Sequence, residues 1–567
     1  MPTSNMSLNE ATSGRHFGAV LALLFVSAAS LLTAACASGS AEPAGSVALA
    51  NAPVGTIRGT TEKGVSVYRG IPYALAPAGE RRWAPPVAVP DWAEQRDALA
   101  FGPACPQPES RPGSIYSTEL GPVSEDCLSL NVWAPEDARN APVFVWIHGG
   151  SLTTGAGSQD MYDGARMARE QGLVVVTLNY RLGILGYLAH PGLSAESPQG
   201  ISGNYGLMDQ TLALEWVKRN IAAFGGNPDN VTVAGESAGA LSVVLLMTSP
   251  KAKGLFDKAI AQSAYMVTMA ALKETVNGLP SAESTGAELA KRMGASDIKD
   301  LRSMSAKDLI YKSAKAGFFP FAVIDDVYLT DQMVATFDKG EQAPVPVLAG
   351  FNEGEIRSLR FLLPPVPKPD AYEAAVRKGY GDLAEAFLEI YPSDSLESSM
   401  LATTRDAMYG WSAERLAASQ SAFGYPSYFY LFDHGYPAAD RLGLHAFHAS
   451  EIPYMFGTTS EAVAPWPEIP DTEEENDLSK AMMAYWASFA RDGRPAAQGS
   501  AAWPAYEDKA TGMVFADEPQ PWPMLSRNRF DLHEEVVCRR RAAGNIPWNW
   551  NVGILSPPLP PKDSKCQ

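Results

Sequence analysis

The chain predicts an α/β fold built on a mostly parallel central sheet. Two patterns carry that expectation: short runs that are apolar at every position, and intervening segments whose apolar residues recur at helical spacing. A strand apolar on both faces needs cover on both faces, which is the environment of a parallel sheet between two helix layers. Residues 142–147 (PVFVWI) form the first such run and stop at Gly149-Gly150. Residues 173–178 (LVVVTL) form the second. Leu214, Val217, Ile221 and Phe224 then follow at spacings of 3, 4 and 3, the face of an amphipathic helix. Asn227-Pro228-Asp229 breaks the chain ahead of a third strand, Val231-Thr232-Val233-Ala234, and residues 240–247 after it suit a helix. Residues 345–348 and 428–432 supply two more strands.

With 567 residues, 46% of them hydrophobic and 19% charged, the chain can bury a large core and is neither disordered nor a coiled coil. Acidic residues outnumber basic ones by 63 to 45, a net charge of −18. That excess repels phosphate backbones and anionic lipid, so nucleic acid is not an expected partner. Arg15 and His16 precede an apolar run over residues 17–35 that closes on Leu32-Thr33-Ala34-Ala35-Cys36. Residues 1–36 therefore read as a signal peptide, because Ser27, Ser30 and Thr33 dilute the run below a spanning length. The segment resembles a bacterial lipoprotein signal with Cys36 as the lipidated residue, except that Thr33 stands where that pattern has an aliphatic residue. Lipidation at Cys36 and simple cleavage both stay open, and either delivers the folded part to an oxidising compartment. Residues 37–50 read as a tether, 51–545 as one domain, and 546–567 as a tail that is Pro-rich from Ser556 and extended.

Gly235-Glu236-Ser237-Ala238-Gly239 fits G-x-S-x-G between the third strand and the following helix. In that context the turn is so sharp that only small residues fit two positions to either side of the serine, whose hydroxyl is lifted clear of the sheet. Ser237 is thus the candidate nucleophile. His148-Gly149-Gly150-Ser151 ends an apolar strand upstream, where small residues let backbone N–H groups reach a substrate oxygen. The acid and base must follow the serine in chain order. His434, His445, His448 and His533 are the histidines that satisfy this for the base.

These motifs, taken together with Val67-Tyr68-Arg69-Gly70-Ile71-Pro72-Tyr73, Glu125-Asp126-Cys127-Leu128-Ser129-Leu130-Asn131, Asn179-Tyr180-Arg181 and Phe224-Gly225-Gly226-Asn227-Pro228, resemble the type-B carboxylesterase family. The resemblance runs from about Gly55 to about Tyr506 and implies an α/β-hydrolase fold. It implies oxyanion donors at Gly150, Ser151 and Ala238. Ser151 replaces the commoner third glycine, which is tolerable if its φ stays negative. It selects His448, within His448-Ala449-Ser450-Glu451, as the base over the neighbouring His445. It selects Glu355, five residues after Gly350, as the orienting acid over Glu353. Glu451 is expected to support His448 from behind, and the family also bridges the pair matching Cys105 and Cys127.

The implied chemistry is hydrolysis of small-molecule carboxylic esters through an acyl-enzyme, with no metal and no cofactor. No CxxC pair or HExxH occurs in the sequence. An imidazole near its ordinary pKa of ~6.5 predicts activity rising through roughly pH 6–8. An amidase or lactonase with the same triad, or a non-catalytic member of the family, are the alternatives. Glu125, Arg181 and Asp209 are expected to form one structural ion network. Cys538 and Cys566 pair or stay free, Trp548 and Trp550 pack at the surface or anchor the tail, and Phe318, Phe319, Phe321 and Trp411 are core aromatics or pocket walls.

Overall fold

The computed structural model describes residues 46–110, 113–507, 511–523, 528–548 and 552–566. Cys36 and Trp550 lie outside the described residues. Thirteen strands form one sheet: β1 Ser46–Ala52, β2 Gly55–Glu62, β3 Val65–Pro72, β4 Arg96–Asp97, β5 Ser129–Pro135, β6 Ala141–Ile147, β7 Val174–Leu178, β8 Gly226–Glu236, β9 Lys258–Gln262, β10 Val347–Asn352, β11 Ser427–Phe432, β12 Thr511–Phe515 and β13 Pro519–Pro523. Their order is β1-β2-β3-β5-β7-β6-β8-β9-β10-β11-β12-β13, with β4 beside β2. From β7 to β12 every pairing is parallel. The N-terminal strands and β13 pair antiparallel, apart from β4, which runs parallel to β2.

The five strands expected from apolar runs are the centre of this sheet, and the burial explains the runs. In β6, Val143, Val145 and Ile147 enter the core on one face while Phe144 and Trp146 enter the core on the other. β7 repeats this, with Val174, Val176 and Leu178 opposite Val175. Helices Tyr205–Asn220 and Ala238–Thr248 cover the first face; Ala165–Gln171 and Glu473–Asp492 cover the second. The Leu214–Phe224 periodicity falls on Tyr205–Asn220 and the 3₁₀ turn Ile221–Phe224, all four residues buried.

Three boundaries differ from the sequence reading. β1 begins at Ser46, inside the expected tether, because Val47–Ala52 pairs residue by residue with Gly55–Thr60 and buries Ala48 and Ala50. The Asn227-Pro228-Asp229 stretch does not end the strand: β8 starts at Gly226, and the pairing with β6 shifts register between Ala141 and Val143 to absorb it. The C-terminal segment is not a free extension. Trp548 is buried, its indole N–H donating to the Met266 carbonyl at 3.2 Å, and Cys566 is bonded to Cys538.

Candidate active site

A parallel sheet puts the C-terminal ends of its strands along one edge, where chain order reverses and a crevice opens. The segments after β6, β8, β10 and β11 carry the glycine turn, Ser237, Glu355 and His448.

Ser237 caps helix Ala238–Thr248 with φ 55° and ψ −120°, a region that a non-glycine residue occupies only under strain. The flanking glycines are required by close approach. A Cβ at Gly239 would lie 2.0 Å from the Ile147 carbonyl oxygen, and one at Gly235 would lie 2.5 Å from the Gly239 carbonyl carbon. Ala240, one position further on, packs as a fully buried residue of the helix.

The turn after β6 runs against the elbow: a Cβ on Gly149 would come within 3.3 Å of the Ser237 Cβ. Gly150 has φ 99°, and a side chain there would strike the Thr154 carbonyl oxygen at 2.2 Å. Ser151 has φ 56° and Leu152 also 56°. The condition of a negative φ at Ser151 is therefore not met. The turn closes through Thr153 and Thr154 N–H bonds to the Gly150 carbonyl, with left-handed backbone at both Ser151 and Leu152. Neither Gly150 nor Ser151 donates its N–H to an acceptor among the described residues. Ala238, as the first helical residue, has no intrahelical acceptor for its own.

Glu355 is wholly buried in a 3₁₀ turn after β10, and its Oε2 meets Nδ1 of His448. Its Oε1 accepts the backbone N–H of Asn352 at 2.9 Å. The competing acid and base are occupied elsewhere. Glu353 pairs with the buried Arg405. His445 holds Asp440 on Nδ1 at 3.1 Å and Asp433 on Nε2 at 3.0 Å.

Nε2 of His448 stands 3.1 Å from Oε1 of Glu236, and no hydrogen bond joins it to Ser237 among the described residues. Glu236 is buried, and burial pushes its pKa up to about 8 against the pull of His448. Burial alone would lower the His448 pKa, but the carboxylates of Glu236 and Glu355 override it and raise it to about 9. The two acids thus favour the protonated ring to higher pH than the sequence expectation.

Glu451 does not touch His448. It accepts from Gln262 Nε2 at 2.9 Å and from Asn352 Nδ2 at 2.6 Å, while that same Asn352 nitrogen donates to the Phe447 carbonyl at 2.8 Å. Asn352 therefore links the Glu355 turn, Glu451 and the residue before His448. Sequence reasoning passed over Asn352, Gln262 and the role of Glu236. Their only signal was adjacency to strand ends. His148 is buried beneath the turn, bonded through Nδ1 to the Gly149 carbonyl at 2.9 Å; burial lowers its pKa to about 4, so it stays neutral.

The expected ion network divides in two. Arg181 grips Asp209 through Nε at 2.8 Å and Nη2 at 2.7 Å, whereas Glu125 pairs with Arg82 at 2.7 Å. Cys105–Cys127 and Cys538–Cys566 are both disulfides. Of the expected pocket aromatics, Trp411 is buried, Phe318 and Phe321 are partly buried against the core, and Phe319 is exposed. A cavity of about 500 Å³ lined by Ile201, Leu272, Ile324 and Asp325 contains none of the triad candidates.

The strained serine elbow at the end of a central parallel strand, followed in order by acid and histidine, defines an α/β hydrolase. The chain belongs to the carboxylesterase family, whose model matches residues 46–529. It is 37% identical over 479 residues to the para-nitrobenzyl esterase of Bacillus subtilis (strain 168), covering 82% of this chain and 93% of that one. It is also 37% identical over 484 residues to the fumonisin B1 esterase of Sphingopyxis macrogoltabida, covering 82% and 85% respectively. A solved para-nitrobenzyl esterase structure superposes with a TM-score of 0.75 at 34% identity, over 85% of this chain and 99% of that one. A carboxylesterase of Geobacillus stearothermophilus does so with a TM-score of 0.72 at 31% identity, over 85% and 99%. The protein is a serine hydrolase of carboxylic esters.

Proposed function

We propose that Ser237, His448 and Glu355 form the catalytic triad, with the N–H groups of Gly150, Ser151 and Ala238 as the oxyanion hole. The supporting observation is the buried contact between Glu355 Oε2 and His448 Nδ1, at the same sheet edge as the elbow that carries Ser237. Catalytic hydrogen bonds are often loose without substrate, so the missing Ser237–His448 bond calls for a small imidazole movement away from Glu236.

In the productive arrangement neutral His448 takes the Ser237 proton at Nε2 as Oγ bonds to the ester carbonyl carbon. The negative oxygen is held by the three N–H groups. The imidazolium then protonates the leaving alcohol as the C–O bond breaks, and water repeats the attack on the acyl-enzyme. Glu355 holds the proton on Nδ1 and stabilises the imidazolium throughout.

The two disulfides fit an oxidising compartment, and no helix among the described residues is long and apolar enough to cross a membrane. We propose export through the residue 1–36 signal, ending in lipidation at Cys36 or in simple cleavage. The mass of the mature N-terminus decides between them: a diacylglyceryl-modified Cys36 supports lipidation, and an unmodified cleaved end removes it. A fluorophosphonate probe tests the triad. The label is expected on Ser237 and is expected to vanish in Ser237→Ala and His448→Gln; a label on another residue overturns the assignment.

A further inference from the structure

The disulfide Cys105–Cys127 closes the base of a loop whose residues reach two catalytic segments. Gln107 binds Gly155 twice, accepting its N–H at 2.8 Å and donating to its carbonyl at 2.9 Å. Gly155 ends the turn that presents Gly150 and Ser151, and it lies against His148 so closely that a Cβ there would be 2.3 Å from Nδ1. Further along the loop, the Tyr116 hydroxyl lies 2.9 Å from the His448 backbone carbonyl and 2.8 Å from Ser358 Oγ. The phenol ring sets its edge against Trp466, centroids 6.0 Å apart, and Trp466 packs on Phe447 at 4.9 Å.

A tyrosine hydroxyl has one proton, and a backbone carbonyl can only accept. The Tyr116 proton therefore goes to His448, and Ser358 serves as the donor to the Tyr116 oxygen. Tyr116 is 36% exposed, so its ring borders solvent while the hydroxyl reaches these two partners. Ser358 is three residues after Glu355 and caps its 3₁₀ turn. One phenol thus bridges the backbone of the base to the turn of the acid.

We propose that Tyr116 is a positioning residue: its hydroxyl clasps the His448 backbone to the Glu355 turn, so that the seating of the Cys105–Cys127 loop sets where the imidazole stands. The proposal rests on the triad reading above. Its consequence is that the loop acts on turnover rather than on substrate affinity.

Tyr116→Phe removes the hydroxyl and keeps the ring on Trp466. With a nitrophenyl ester, kcat is expected to fall about fivefold, the size of one net hydrogen bond, with KM within twofold of wild type. The rate of fluorophosphonate labelling is expected to fall by the same factor, and the thermal midpoint to change little. Ser358→Ala in the Tyr116→Phe background should add little, because the two act through one bridge. An unchanged kcat in Tyr116→Phe, while His448→Gln abolishes labelling, overturns the proposal and leaves the triad standing. A loss shared between KM and thermal midpoint overturns it in favour of a general packing role. Undiminished labelling of Ser237 in His448→Gln overturns the triad reading and this proposal with it.

Discussion

Oε1 of Glu236 lies 3.1 Å from Nε2 of His448, the nitrogen opposite the one that meets Glu355. The imidazole is held between two buried carboxylates. One orients it; the other sits beside the serine and favours the protonated ring.

That relationship sets the pH dependence. In the proposed triad His448 acts as base only when neutral, and its pKa is raised to about 9 by Glu236 and Glu355 against burial. Activity is therefore expected to rise with pH through the alkaline side of neutrality, higher than the pH 6–8 window of an unperturbed imidazole. In Glu236→Gln one of the charges that raises the His448 pKa is gone, so the rising limb of kcat/KM against pH should move to lower pH by about one unit. A limb that stays in place, or moves up, contradicts the assigned coupling.

Glu355→Gln keeps the shape of the acid and removes its charge. The amide can donate where Nδ1–H needs an acceptor, which favours the wrong tautomer. A drop in kcat of roughly 10³–10⁴ is expected on a matched ester. Glu353→Gln, at the carboxylate paired with Arg405, is expected to retain most of the activity; equal losses in the two variants would reverse the choice of acid.

The two histidines of the 445–448 segment should separate cleanly. His445→Gln loses contacts to Asp440 and Asp433 on a part-exposed surface, and is expected to leave kcat within a few-fold of wild type. His448→Gln is expected to remove nearly all turnover. Steady-state kinetics on the purified variants decide this.

Gly239→Ala should fail at the level of folding rather than of chemistry. Its Cβ would sit 2.0 Å from the Ile147 carbonyl oxygen, backbone that cannot move without separating the helix from β6. A loss of about 3 kcal/mol or more is expected in chemical unfolding.

Cys566→Ala tests the tail. The disulfide to Cys538 closes a 28-residue separation, worth about 3 kcal/mol on the chain-entropy scale. Stability is expected to drop by that order, with faster proteolysis after Trp548. An unchanged cleavage pattern would mean that the buried Trp548 anchors the segment unaided.

The amino-acid sequence by itself determined the central strands, the elbow at Ser237 and the glycine turn at Gly150. These are local: an apolar run, a small-residue pattern and a helix start depend on neighbours along the chain. The order of acid and base was also legible, although choosing Glu355 and His448 from their near neighbours needed family resemblance. Only the tertiary structure decided the rest. The left-handed φ of Ser151 is visible only in the folded turn. Glu236 faces His448, Asn352 joins Glu355 to Glu451, and Cys538 meets Cys566, through segments brought together from separate parts of the chain. Such contacts depend on angles and distances across the sheet, which no spacing along the chain encodes. The proton affinity of His448 is decided there too, because it depends on how many buried charges surround one ring.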